Sequence, residues 1–314
     1  MMKNANETER AAEQSDTEAD KVLVFIHIPK TGGLTMERLI SRQYPPKSTI
    51  WMSYQRPEQV SAFTDLDAAE RAKMRCVMGH IPFGFHRHIP RQAVHATLLR
   101  EPVARFISEY RYMQRHPREG AWRPPQEAME SIEAYLDYRV ATNAMNVQTS
   151  IVSGYFPEVG ALPPFDPLPA DALDVAKRNL KEHFVVVGVT ERFDEALLLL
   201  KKRMHWQKSI SYARRNIAPK KSSVAGISDG TIERIRAGTR IDAELVQYAE
   251  ELLSQAVSGE GESFRQELAK LKRRNHMIHL VVHGWKSTPV WKIRNAPGLK
   301  QARHVIGAAL DRLM

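Results

Sequence analysis

The stretch Val22-Leu23-Val24-Phe25-Ile26-His27-Ile28-Pro29-Lys30-Thr31-Gly32-Gly33-Leu34-Thr35 decides the fold. Val22 to Ile26 is a continuous β-prone apolar run, the pattern of a strand covered on both faces. Pro29 to Gly33 breaks it. From Leu34 onward, Leu34, Met36, Leu39 and Ile40 recur at helical spacing. The segment therefore reads as strand, glycine loop, helix. A helix start presents unpaired N–H groups and the positive end of the helix dipole. Glycine lets the backbone approach an anion closely. Lys30 adds a point charge, and Thr31 and Thr35 add hydroxyl donors around Gly32 and Gly33. This is a candidate phosphate seat. A nucleotide-triphosphatase loop reads G-x-x-x-x-G-K-[ST], whereas here the lysine precedes both glycines.

Further strands are predicted at Arg75–Met78, ending at Gly79-His80, at Ala93–Leu99 and at Phe184–Val189. Each of the last two leads into a helical pattern. Pro102 suits a first helical turn, with Val103, Phe106, Ile107 and Tyr110 following. Thr190 is placed to cap the helix that carries Phe193, Ala196, Leu197 and Leu200. Strands alternating with helices imply an α/β fold: a P-loop-like three-layer sandwich, its central, mainly parallel sheet flanked by helices. Residues 157–170 are proline-rich and read as a surface excursion. Asp242 to Leu253 reads as an amphipathic helix.

The 314 residues suffice for one large core. A single cysteine, Cys76, excludes an internal disulfide and reads as a buried strand position. No apolar run approaches the roughly 20 residues that span a bilayer, and the polar start is no signal peptide. These features predict a cytoplasmic protein, with room for peripheral attachment to a membrane. Net charge is +10, unevenly spread: −4 over residues 1–20 and +9 over residues 265–314. The expected organisation is a disordered acidic segment at 1–20, one enzyme domain at 21–264, and a basic appendage at 265–314. Such a tail suits contact with an anionic surface rather than a specific nucleic acid.

Two more features belong with the first loop. Arg100 ends a predicted strand, where its guanidinium can clamp a phosphate bidentately. Ser108 follows on the next helix, where its hydroxyl can meet the same group, and Arg105 reads as a structural ion-pair residue. His80 follows a strand and a glycine, so it falls at the carboxyl edge of the sheet, where open α/β folds bind ligands. His86 and His88 are rivals for its role. His27 reads as a residue orienting the lysine.

Phe25-Ile26-His27-Ile28-Pro29-Lys30-Thr31-Gly32-Gly33 and Leu99-Arg100-Glu101-Pro102-Val103-Ala104-Arg105-Phe106-Ile107-Ser108 resemble the two nucleotide motifs of the sulfotransferase-2 family. The likeness continues at Asn146–Ser150, Gly188–Phe193 and, more weakly, Asn216–Lys221. It implies an enzyme that uses 3′-phosphoadenosine-5′-phosphosulfate (PAPS) without a metal. The 5′-phosphosulfate would lie on Lys30, Thr31, Gly32, Gly33, Leu34 and Thr35, with Leu34 serving through its N–H. Arg100 and Ser108 would hold the 3′-phosphate. Met78-Gly79-His80 matches the last two positions of the family's H-G-H string, which makes His80 the catalytic base beside Lys30. The acceptor implied is a hydroxyl of a carbohydrate or glycolipid.

Two other readings use the same residues: a kinase with an atypical phosphate loop, or a non-catalytic module that binds anionic polymers. His276, His279 and His283 read as surface histidines of the basic tail. Trp285 and Trp291 read as packing residues. Leu299, Ala302, Ile306, Leu310 and Leu313 form a stripe suited to docking or to a homodimer.

Overall fold

The computed structural model describes residues 21–116, 123–213 and 226–286. The acidic segment 1–20, Asn216–Lys221, Trp291 and the stripe Leu299–Leu313 lie outside the described residues.

Five strands form one sheet: β1 (Val22–Ile26), β2 (Thr49–Ser53), β3 (Cys76–His80), β4 (Ala93–Leu99) and β5 (Phe184–Val189). Their order is β2-β3-β1-β4-β5, and every pairing is parallel. The apolar run Val22–Ile26 occupies the centre, each residue at most 1% exposed. Burying side chains of this size stabilises by about 1.5–3 kcal/mol each. Cys76 is fully buried in β3, and burial pushes its thiol pKa up, so it is no nucleophile.

The helices are α1 (Gly33–Ser41), α2 (Pro57–Thr64), α3 (Ala68–Ala72), α4 (Pro102–Arg115), α5 (Ile132–Ala141), α6 (Val147–Ser153), α7 (Ala172–His183), α8 (Phe193–Arg203), α9 (Asp229–Gly238), α10 (Arg240–Ser258) and α11 (Gly261–Lys286). They cover both sheet faces. Glu37 of α1 meets Trp51 and His27 on one face, and His183 at the end of α7 meets His95 on the other. The three-layer α/β expectation holds.

Two details differ from the sequence reading. β2 is an additional edge strand. Its apolar core is only Ile50-Trp51-Met52, and Trp51 is 38% exposed, so it lacks the run that marks a covered strand. Thr190 does not cap α8, whose N-cap is Arg192. Its hydroxyl instead lies 2.6 Å from the Thr31 carbonyl and 3.0 Å from that of Leu99, tying the end of β5 to the glycine loop and to β4.

α11 runs unbroken through Arg265. Phe264 and Leu271 are buried, and the Asn275 amide donates to Asp194 at 3.1 Å, so this helix packs on the sheet domain. Among the described residues, no helix is long and apolar enough to cross a membrane.

Candidate active site

The expected site residues come from the carboxyl ends of three adjacent strands, β3, β1 and β4. The chain crosses from one side of β1 to the other between β3 and β4. Such a reversal opens a crevice at the sheet's carboxyl edge.

The loop after β1 is shaped for an anion. Gly32 is the N-cap of α1 with φ 88°, a conformation that glycine adopts freely. No side chain caps the helix, and its first turn holds no acid, so its positive end is not neutralised locally. Gly33 has no alternative: a Cβ there would lie 1.9 Å from the His27 ring. Leu34 is 71% exposed and keeps its side chain clear of the seat. Thr31 is fully buried, and its hydroxyl donates to the Ile28 carbonyl at 2.8 Å. It braces the loop in this arrangement. Thr35 is half-buried, with its N–H bonded to the Gly32 carbonyl at 3.1 Å.

Lys30 takes φ 71°, unusual for a residue with a Cβ. Its ammonium sits 4.0 Å above the Tyr112 ring, a cation–π contact. Burial lowers its pKa first. Arg115 and Arg100 add to the effect, while Glu109 opposes it. Arg100 donates from Nη1 to the Lys30 carbonyl at 3.0 Å. Its Nε is buried without a hydrogen-bond partner among the described residues. Burial likewise lowers the Arg100 pKa, against the opposing charges of Glu191 and Glu101. Cations crowded this way, one with an orphaned donor, suit an anionic ligand.

Glu101 explains how its helix starts. Its carboxylate accepts from the N–H groups of Val103 at 2.9 Å and Ala104 at 2.6 Å, capping α4 ahead of Pro102. Ser108, Tyr112 and Arg115 follow at helical spacing on one face of α4. Tyr112 carries Lys30, and Ser108 precedes Tyr112 by one helical turn and is half-buried. Arg100 and Lys30, the cations expected at the two ends of the ligand, are neighbours. Arg105 is fully buried, with Nη1 3.4 Å from Glu109, which also pairs with Arg139 at 3.0 Å. Its structural reading stands.

His80 is half-buried at the end of β3. Its Nδ1 lies 2.8 Å from the His27 carbonyl. A carbonyl only accepts, so Nδ1 carries the hydrogen and Nε2 keeps a free lone pair. Burial and the neighbouring His27 ring push its pKa down to about 4. The two rings stand 4.4 Å apart. His27 donates from Nδ1 to Glu37 at 2.7 Å, and Trp51 Nε1 donates to the same oxygen at 2.8 Å. His27 therefore positions His80 through its carbonyl and α1 through Glu37. Of the rivals, His88 is exposed, and His86 lies among Phe83, His95 and His183.

Sequence reasoning did not single out Glu37, Trp51, Tyr112 or Gln148. Gln148 lay inside a quoted motif without a role. Its amide meets the Arg100 main chain twice, at 2.9 Å each time. Only Tyr112 carried a sequence signal, its spacing from Ser108 on α4.

Residues 37–296 match the family described as galactose-3-O-sulfotransferase. That span holds His80, Arg100 and Ser108 and begins just after the glycine loop. Heparan-sulfate 6-O-sulfotransferase 2 of Gallus gallus is 25% identical over 303 aligned residues, covering 82% of this chain and 73% of that protein. Galactose-3-O-sulfotransferase 3 of Bos taurus is 30% identical over 52% of this chain and 38% of its own length. Uronyl 2-sulfotransferase of Mus musculus is 29% identical over 49% of this chain and 39% of its own. The chain thus spans well under half of the last two relatives. All three are carbohydrate sulfotransferases by name, in agreement with the family class read from the two motifs.

Proposed function

Because the chain belongs to the galactose-3-O-sulfotransferase family, we propose that it transfers a sulfuryl group from PAPS to a carbohydrate hydroxyl. The donor set fits that co-substrate. The uncapped start of α1, with Lys30, suits the 5′-phosphosulfate, and the orphaned Arg100 Nε with the Ser108 hydroxyl suits the 3′-phosphate. When bound, PAPS supplies sulfur already joined to a phosphate leaving group.

The chain's own residues supply the rest. His80 Nε2 takes the proton of the acceptor hydroxyl as the oxygen–sulfur bond forms. Lys30 and the amides of Gly33 and Leu34 stabilise the charge that appears on the phosphate oxygen as its bond to sulfur breaks. Thr31, with its hydroxyl turned inward, acts as a brace. The basic tail would contribute attraction for an anionic surface.

The observation that carries this reading is the Arg100–Lys30 link at 3.0 Å, which draws the two anion seats together. Calorimetric titration tests it. The nucleotide product, 3′-phosphoadenosine 5′-phosphate (PAP), should bind, and ATP with magnesium should bind far more weakly. Arg100→Ala should weaken PAP much more than adenosine 5′-phosphosulfate (APS), which lacks the 3′-phosphate. Equal losses would remove Arg100 from its role, and preference for ATP–magnesium would replace the sulfotransferase with a kinase.

A further inference from the structure

Lys30 is fixed at both ends. Its main chain is pinned from outside the loop. Arg100 Nη1 donates to the Lys30 carbonyl at 3.0 Å, and the Thr190 hydroxyl donates to that of Thr31 at 2.6 Å. The four-carbon stem remains, and a free lysine stem samples many rotamers. Here its far end is held too. The ammonium stands 4.0 Å from the centroid of the Tyr112 ring.

The surroundings oppose that charge. Burial acts against it first, and Arg115 and Arg100 add repulsion. Glu109, one helical turn before Tyr112 on α4, attracts the ammonium. Its carboxylate is already committed, however, to Arg139 at 3.0 Å and to Arg105 at 3.4 Å. Among the described residues, no carboxylate forms an ion pair with Lys30. The Tyr112 ring is itself braced. His116 closes α4, its ring stacks on that of Tyr112 with centroids 4.3 Å apart, and its Nδ1 donates to the Tyr112 carbonyl at 3.0 Å.

We infer that Tyr112 is a positioning residue whose ring holds the Lys30 ammonium in place for the 5′-phosphate without neutralising it, an inference that rests on the sulfotransferase reading. A carboxylate at the same place would steady the lysine, but it would cancel the charge and repel the ligand phosphate. An aromatic face attracts a cation through its quadrupole and carries no net charge. That attraction is strongest where water is excluded, and Lys30 is half-buried. The ring thus offsets the desolvation of the ammonium and the repulsion of two arginines. It leaves the whole positive charge to the incoming anion.

Calorimetric titration of the full chain with PAP tests the role. Tyr112→Leu removes the ring but keeps an apolar side chain, and it should weaken PAP about tenfold. Tyr112→Phe keeps the ring and should bind PAP as the parent does. In a Lys30→Met background, Tyr112→Leu should cost nothing further, because a residue that acts through Lys30 then has nothing to act on. Above neutral pH, the PAP affinity of Tyr112→Leu should fall earlier than that of Tyr112→Phe, since an unsupported ammonium gives up its proton more readily. A Phe variant no better than the Leu one would overturn the role of the ring, as would coincident pH profiles. An equal loss with and without Lys30 would make Tyr112 structural only. Failure of the parent chain to bind PAP would instead strike the sulfotransferase reading itself.

Discussion

The side-chain amide of Gln148 completes the main-chain hydrogen bonds of Arg100 at the end of β4. Its Oε1 accepts from the Arg100 N–H and its Nε2 donates to the Arg100 carbonyl, both at 2.9 Å. Gln148 is fully buried, and its own N–H donates to Asp242 at 3.2 Å. One side chain thus replaces a strand neighbour where the ladder stops, and it fixes the direction in which the guanidinium leaves the sheet.

Gln148→Met keeps the bulk and removes both bonds. Leaving buried main-chain groups unpaired costs about 1–3 kcal/mol each, so thermal unfolding should move down by several degrees. Affinity for PAP should fall about tenfold, while affinity for APS, which lacks the 3′-phosphate, should change far less. A variant that loses both nucleotides equally would show Gln148 to be structural only.

His80→Ala should abolish transfer and leave PAP binding nearly intact in calorimetry. The pH profile carries a separate signature. With the His80 pKa pushed down to about 4, its Nε2 stays unprotonated through the neutral range. The acid limb of kcat/KM should therefore fall near pH 4, not near the ordinary imidazole value of about 6.5. An acid limb at the ordinary value would mean a different base.

Gly33→Ala should eliminate nucleotide binding. The added methyl would meet the His27 ring at 1.9 Å. Relief requires the His27 ring to leave Glu37, which also removes the ring packed 4.4 Å from that of His80. Calorimetry should show no PAP binding by a folded variant; near-normal PAP affinity would contradict the packing.

Acid should destabilise the fold early. Burial pushes the pKa of His80 down to about 4 and that of His95 to about 3. His95 Nε2 is buried without a partner among the described residues, beside His86 at 4.7 Å. Both groups titrate near 6.5 when unfolded, so below that pH the unfolded chain binds protons that the native one refuses. Stability should fall as pH drops from about 6.5 towards 4, by up to roughly 1.4 kcal/mol per pH unit for each histidine. His95→Asn should flatten that slope in denaturant titrations, and an unchanged slope would mean that His95 is protonated in the fold.

The sequence by itself determined the sheet's central strand, the glycine loop after it, the Arg100 helix junction and the position of His80. Each is written locally, in a run of β-prone residues or in a glycine, proline or arginine at a strand end. β2 was not legible, because an edge strand needs no uninterrupted apolar run. Thr190 looked like a cap because local pattern cannot tell which distant carbonyl a hydroxyl will meet.

Tertiary structure alone decided the rest. It set the His80 tautomer through a carbonyl 53 residues away, placed Lys30 over Tyr112, and put Gln148 against Arg100. The physical reason is the same in each case. Hydrogen bonds and burial depend on which groups the parallel crossovers bring together, and those partners lie far apart along the chain.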